Sequence, residues 1–133
     1  MSVIVTDAGF APVADTVNPG LADLGTGRAV DLAHTDDPAA VEPVLGQLVL
    51  IRVAFPAFSD GRGFTIARRL RMMGYKGELR ALGPVIAEQY AMARRVGFDA
   101  VEIPDALAAR QPESQWQFRA DWKAHDYQSR LRA

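Results

Sequence analysis

Between residues 48 and 103 short apolar runs alternate with amphipathic stretches, and no other feature of the chain restricts its fold so strongly. Leu48-Val49-Leu50-Ile51-Arg52-Val53-Ala54-Phe55 is dense in β-branched and large apolar side chains and is stopped by Pro56, the pattern of a central strand covered on both faces. Arg52 interrupts the run, which places it at a strand end or edge, or against a buried carboxylate. The spacing then predicts a helix over 64–73, with Ile66, Ala67, Leu70 and Met73 on one face, Arg68, Arg69 and Arg71 turned mostly elsewhere, and Gly74 closing it. Residues 78–82 read as a period-two strand. Pro84 suits the first position of a second helix, whose apolar stripe is Val85, Ile86, Tyr90 and Ala93 and whose end is Gly97. Residues 98–103 form the next strand.

Upstream, Ala29-Val30-Asp31-Leu32 reads as a brief strand, and Asp36-Asp37-Pro38 supplies a cap and a first-turn proline for a helix over 39–45. Strands joined by helices through short connections run parallel, with right-handed crossovers. The expected fold class is therefore α/β, with about four parallel strands and crossover helices. Both an open sheet and a half-barrel satisfy the pattern, because sequence period does not encode closure.

The 133 residues, 49% hydrophobic and 23% charged, fit one globular α/β domain. Within it, residues 1–28 are expected to be irregular, with at most a strand or hairpin around Val3 to Val5. Residues 29–103 form the βα core and 104–133 a helical tail. The tail reads as a short helix over 106–110, a break at Pro112, and an aromatic helix over 113–127 carrying Trp116, Phe118 and Trp122 on more than one face. One face can pack on the sheet and the other can meet a second subunit, so a homodimer is a possible partner state. The start Met1-Ser2-Val3-Ile4 has no basic region followed by an apolar one, and no apolar run approaches the length of a membrane span. A cytoplasmic location without membrane contact is expected.

Cysteine is absent from the sequence, which removes thiol nucleophiles, disulfide relays and thiolate-held clusters from this chain's own chemistry. No cofactor is evident, and a redox role would use a borrowed one. The net charge of −1 conceals a strong asymmetry: residues 1–51 carry net −6, residues 52–95 net +6, and residues 96–133 net −1. A cationic segment of this kind can bind phosphate, an acidic partner or nucleic acid, or can simply be neutralised by the acidic N-terminal third. Nucleic acid ranks last, since the basic residues lack interleaved aromatics and no reader motif is present.

The best local site candidate is the loop of Ser59, Asp60, Gly61, Arg62 and Gly63, where a strand's carboxyl end meets a helix start; Gly83 ends the neighbouring strand on the same rim. Ligands of open parallel sheets bind on that edge. Two glycines allow close backbone approach, and Arg62 offers a two-pronged clamp for phosphate, sulfate or a carboxylate, with Asp60 as an acid or base. The same residues also serve as ordinary caps and turn formers. Glu78 and Arg80, two apart on a strand, share a face and suit a structural pair or part of a polar site. His34 and His125 lie far apart without a ligand-spaced neighbour, so neither a metal site nor a catalytic triad is expected.

Four blocks in one order carry a family resemblance: Phe55-Pro56-Ala57-Phe58-Ser59-Asp60-Gly61-Arg62-Gly63-Phe64, then Ala67-Arg68-Arg69-Leu70-Arg71, then Gly74-Tyr75-Lys76-Gly77-Glu78-Leu79-Arg80-Ala81, then Gly97-Phe98-Asp99-Ala100, with a weaker echo at Asp126-Tyr127-Gln128. They resemble the bacterial family called domain of unknown function 934, whose members are labelled oxidoreductases and linked to assimilatory sulfite reduction. The resemblance implies an accessory role in that pathway, in sulfur assimilation and cysteine biosynthesis, with sulfite reductase or its electron-donor protein as partner. It implies no catalytic residue set. The chain departs from the family pattern at Pro84 and Ala87, where an acidic and a basic residue are usual, and at Val96, where cysteine is frequent.

Overall fold

The computed structural model of the chain describes residues 2–13, 18–23 and 27–119. Six strands form one open sheet: β1 (Ser2–Thr6), β2 (Gly9–Val13), β3 (Ala29–Leu32), β4 (Leu50–Ala54), β5 (Glu78–Leu82) and β6 (Ala100–Pro104), in the spatial order β2-β1-β6-β5-β4-β3. β3, β4, β5 and β6 are mutually parallel and lie side by side in chain order. These are the four parallel strands expected. The N-terminal hairpin extends the same sheet, with β1 antiparallel to both β2 and β6, which brings the strand count to six.

Alternation decides what each strand buries, because successive side chains point to opposite faces. Val30 and Leu32, Ile51 and Val53, Leu79 and Ala81, and Val101 and Ile103 all join the hydrophobic core together with Ile66, Ala67 and Leu70 of α1 (Arg62–Met72) and Tyr90 and Ala93 of α2 (Tyr90–Val96). α3 (Asp105–Arg110) adds Leu107, and α4 (Glu113–Arg119) adds Trp116, which meets Tyr90 and Phe10 edge-on. The other face of the sheet carries Asp31, Arg52, Arg80 and Glu102. Glycine closes both main helices: Gly74 follows α1 and Gly97 caps α2, at φ of 98° and 117°.

Two helices differ from expectation. The crossover from β3 to β4 is a 3₁₀-helix, Pro38–Gln47, capped by Asp37 as expected but carrying Pro43 in its interior. Pro43 has no N–H to give to an α-helical ladder, and Gly46 is a poor α-helix former, so the tighter 3₁₀ form results. The second predicted helix does not begin at Pro84. Val85 N–H bonds back to the Gly83 carbonyl, Ile86 is extended, and a single 3₁₀ turn (Ala87–Gln89) precedes α2. Gly83 at φ 132° turns the chain sharply there, because its backbone lies against the Phe55 carbonyl. The predicted aromatic helix is observed over Glu113–Arg119, and its continuation with Trp122, His125 and Tyr127 lies outside the described residues. No described helix is long and apolar enough to cross a membrane.

Candidate functional site

The carboxyl ends of β3 to β6 share one rim, and the loop after β4 rises from it. Asp60 N–H bonds to the Ala57 carbonyl at 3.1 Å, forming a turn that carries the chain into α1. The Asp60 carboxylate then accepts from the Arg62 backbone N–H at 3.1 Å and from the Arg62 guanidinium at 3.1 and 2.6 Å. The hydrogen bonds from Arg62, side chain first and backbone second, hold the Asp60 carboxyl at about 2. From the loop after β3, His34 brings Nε2 to 3.9 Å from Asp60 Oδ2. Asp60 is thus flanked by Arg62 and His34, an arrangement that gathers three ionisable groups on the rim.

The sequence-predicted site residues divide on this rim. Ser59, Asp60, Gly61 and Arg62 line the loop, and Ser59, Gly61 and Arg62 are exposed. Gly63 is buried, and a Cβ there would lie 2.4 Å from the Phe55 ring, so its close approach is to the protein's own core. A Cβ at Gly61 would meet nothing within 4 Å. Gly83 sits against the Phe55 carbonyl, at the root of the loop rather than its tip. Arg62 is engaged by Asp60 in the two-pronged geometry that an anion would require, so clamping an anion means exchanging one carboxylate for another group.

A second polar cluster lies on the sheet face opposite α1 and α2. Arg52 bonds to both oxygens of Asp31 at 2.7 and 2.6 Å and to Glu102 at 2.8 Å. Arg80 bonds to Glu102 at 3.2 Å and to Glu78 at 3.0 and 3.1 Å, and Asn18 donates to Asp31 from backbone and side chain. Arg52 and Glu102 are each only 2% exposed. Arg52 therefore has the buried carboxylate partner that its place in an apolar strand demands, and Glu78 and Arg80 do share a face. Asp31 and Glu102 escaped sequence reasoning. The available signal was a carboxylate within each of two apolar strands, one before and one after the Arg52 run in the sequence.

These pairs dispose of most of the cationic middle segment. Of its nine basic residues, Arg52, Arg62, Arg69, Arg71, Arg80 and Arg94 form ion pairs with Asp31, Asp60, Asp37, Asp99, Glu78 and Asp7 respectively. Asp7, Asp31 and Asp37 come from the acidic N-terminal third, so the two halves of the charge asymmetry partly cancel. Among the described residues Arg68, Lys76 and Arg95 hold no ion pair, and all three are exposed. On α1, Arg68 shares a face with Met72, which is 77% exposed; on α2, Met92, 50% exposed, shares a face with Arg95. α1 packs on α2, so the two mixed stripes belong to one helical surface. The exposed methionines carried no sequence signal, since Met73 rather than Met72 fitted the apolar face.

No group of three or more His, Asp or Glu side chains is placed to hold a metal ion among the described residues. A family model described as bacterial protein of unknown function (DUF934) matches residues 29–133. No curated protein and no solved structure matches the chain.

Proposed function

Because the chain belongs to the bacterial protein family of unknown function DUF934, we propose that it serves as an accessory protein of assimilatory sulfite reduction in the cytoplasm and docks on sulfite reductase or its electron donor. The pathway comes from the four sequence blocks that resemble this family. The docking role is supported by one observation above the rest: Arg68 and Arg95, which hold no ion pair among the described residues, stand on the same outward helix faces as the exposed Met72 and Met92. Methionine is flexible and polarizable and adapts to a partner's surface, while cations beside it steer an acidic partner and set its orientation. Among the described residues six of the nine cations of the middle segment are held in ion pairs within the chain, and Arg68 and Arg95 are two of the three that remain.

Binding of purified sulfite reductase to the immobilised chain tests the reading. Retention is expected at about 0.01 M salt, where charges act over about 30 Å, and release at about 1 M, where they act over about 3 Å. The double change Arg68→Glu and Arg95→Glu is expected to weaken binding by about tenfold or more. Absence of retention at low salt, with the reductase and with its electron donor alike, defeats the proposal.

A second reading is favoured by the rim cluster of His34, Asp60 and Arg62: a small anion-binding enzyme or sensor that uses the loop of Ser59, Asp60, Gly61, Arg62 and Gly63. In it, Arg62 leaves Asp60 to clamp phosphate, sulfate or a nucleotide. Such a ligand raises the melting temperature of the parent chain and has no effect on Arg62→Ala; a melting temperature unmoved by any of the three counts against this reading.

A further inference from the structure

The 3₁₀ geometry of Pro38–Gln47 has a steric result. It buries only Pro38 and Val41, and a trough lies between this narrow helix and the carboxyl-terminal half of α1. Two cavities of about 500 and about 320 Å³ adjoin there and share Glu42 and Met73. Leu45, Leu48 and Tyr75 give the larger one an apolar floor, and Met72 walls the smaller. Arg69 borders only the smaller cavity and Lys76 only the larger, with Glu42 at the junction. Charge therefore runs positive, negative, positive along the length of the trough. Among the described residues Arg69 is tied only to Asp37, in a pair with both side chains about half or more exposed (49% and 68%), a class of contact that competes weakly against a partner. Glu42 and Lys76 hold no ion pair among the described residues and are exposed.

We propose that this trough seats an amphipathic segment of the docking partner, with apolar side chains over Leu45, Met72 and Met73 and a charge order of acid, base, acid along its length. The proposal rests on the docking reading, since Met72 belongs both to the outward stripe and to the trough wall. An alternating charge order along a channel of mixed polar and apolar lining fits a linear amphipathic segment laid into a groove, in the manner of helix-in-groove recognition. Complementary charges fix its direction and register as well as adding attraction.

The decisive variant is Glu42→Lys, measured in the full-length chain against sulfite reductase holoenzyme, or against its electron donor if that is the protein retained. The change makes the surface more cationic. If docking were attraction of an acidic surface to a positive one, affinity would rise. The trough predicts the reverse, a loss of about tenfold, because the partner's central base then meets a like charge. Lys76→Glu and Met72→Glu, both at exposed positions, are expected to weaken binding as well, with melting temperatures close to that of the parent. Binding of Glu42→Lys equal to or tighter than the parent overturns the trough while leaving docking intact, provided Arg68→Glu with Arg95→Glu still weakens it. No binding by the parent chain to either protein overturns both.

Discussion

Arg52 and Arg80 are direct cross-strand neighbours, and like charges placed opposite one another in a sheet repel. Glu102 resolves the conflict by accepting a hydrogen bond from each, and it does so in a nearly solvent-free position. Removing one partner from a buried charge cluster is far costlier than removing an exposed one. Glu102→Gln is therefore expected to destabilise the protein by about 3–5 kcal/mol, whereas Glu78→Gln, at the wetter end of the cluster, costs about 1 kcal/mol or less. Urea denaturation of both variants checks this, and equal losses would mean that Glu102 is not the bridge. Gly63 offers a steric counterpart: Gly63→Ala pushes a methyl group into the Phe55 ring and costs about 1–3 kcal/mol, while Gly61→Ala, with open space around it, changes stability by about 0.5 kcal/mol or less. On the rim, Asp60 is an ordinary carboxyl in the unfolded chain and is lowered to about 2 in the folded one by Arg62. Whatever stability this pair confers is present above the ordinary carboxyl range and is lost as the pH falls through about 2. The carboxyl-carbon resonance of Asp60 should titrate with a midpoint near 2; a midpoint near 4 would show that the Arg62 contact is not held in solution. At this scale the sequence was legible where a residue violated its surroundings. Arg52 in an apolar run pointed either to a strand end or edge or to a buried carboxylate partner, and choosing between these and naming Asp31 and Glu102 required strand order, which is non-local.

Among the elements, the outer strands show how the sheet is kept from growing. β2 forms one edge. Its Phe10 N–H, turned away from β1, is bonded by Glu113 of α4 at 2.6 Å. Pro12, two residues on and in the same orientation, offers no N–H at all. Replacing Pro12 with threonine restores a donor on an exposed edge, and the variant is expected to self-associate more than the parent in light scattering; identical scattering across concentration would mean that the edge is protected by something other than proline. β3, the opposite edge, gives its Asp31 N–H to the Pro19 carbonyl. Periodicity revealed β3 to β6 and both main helices because each signal is local. It did not reveal that β1 completes the sheet on β6, since an antiparallel hairpin reads the same wherever it pairs. The 3₁₀ crossover could have been read from Pro43 and Gly46, which weigh against an α-helix more than the cap at Asp37 weighs for one. At Pro84, the missing information was the contact between Gly83 and Phe55, which forces the chain to turn before it can coil.

For the molecule as a whole, charge is the property that joins fold to function. The acidic first third and the cationic middle were visible as numbers in the sequence; what they do to one another depends on the sheet, which lays Asp31 beside Arg52, and on the packing that brings Asp7 to Arg94 and Asp37 to Arg69. Once those pairs form, Arg68, Lys76 and Arg95 are the cations of the middle segment left without an ion pair among the described residues, and Arg68 and Arg95 stand on the outer helix faces beside methionines that no core claims. The rim loop was identified from the strand-to-helix pattern alone, and His34 joined it only because β3 and β4 are neighbours. The most direct test of the proposed role is genetic. A strain lacking this gene should require a reduced sulfur source, growing on sulfide or cysteine and failing on sulfite, with growth restored by the parent gene and not by the Arg68→Glu, Arg95→Glu form. Normal growth of the deletion strain on sulfite as its sole sulfur source would contradict the account.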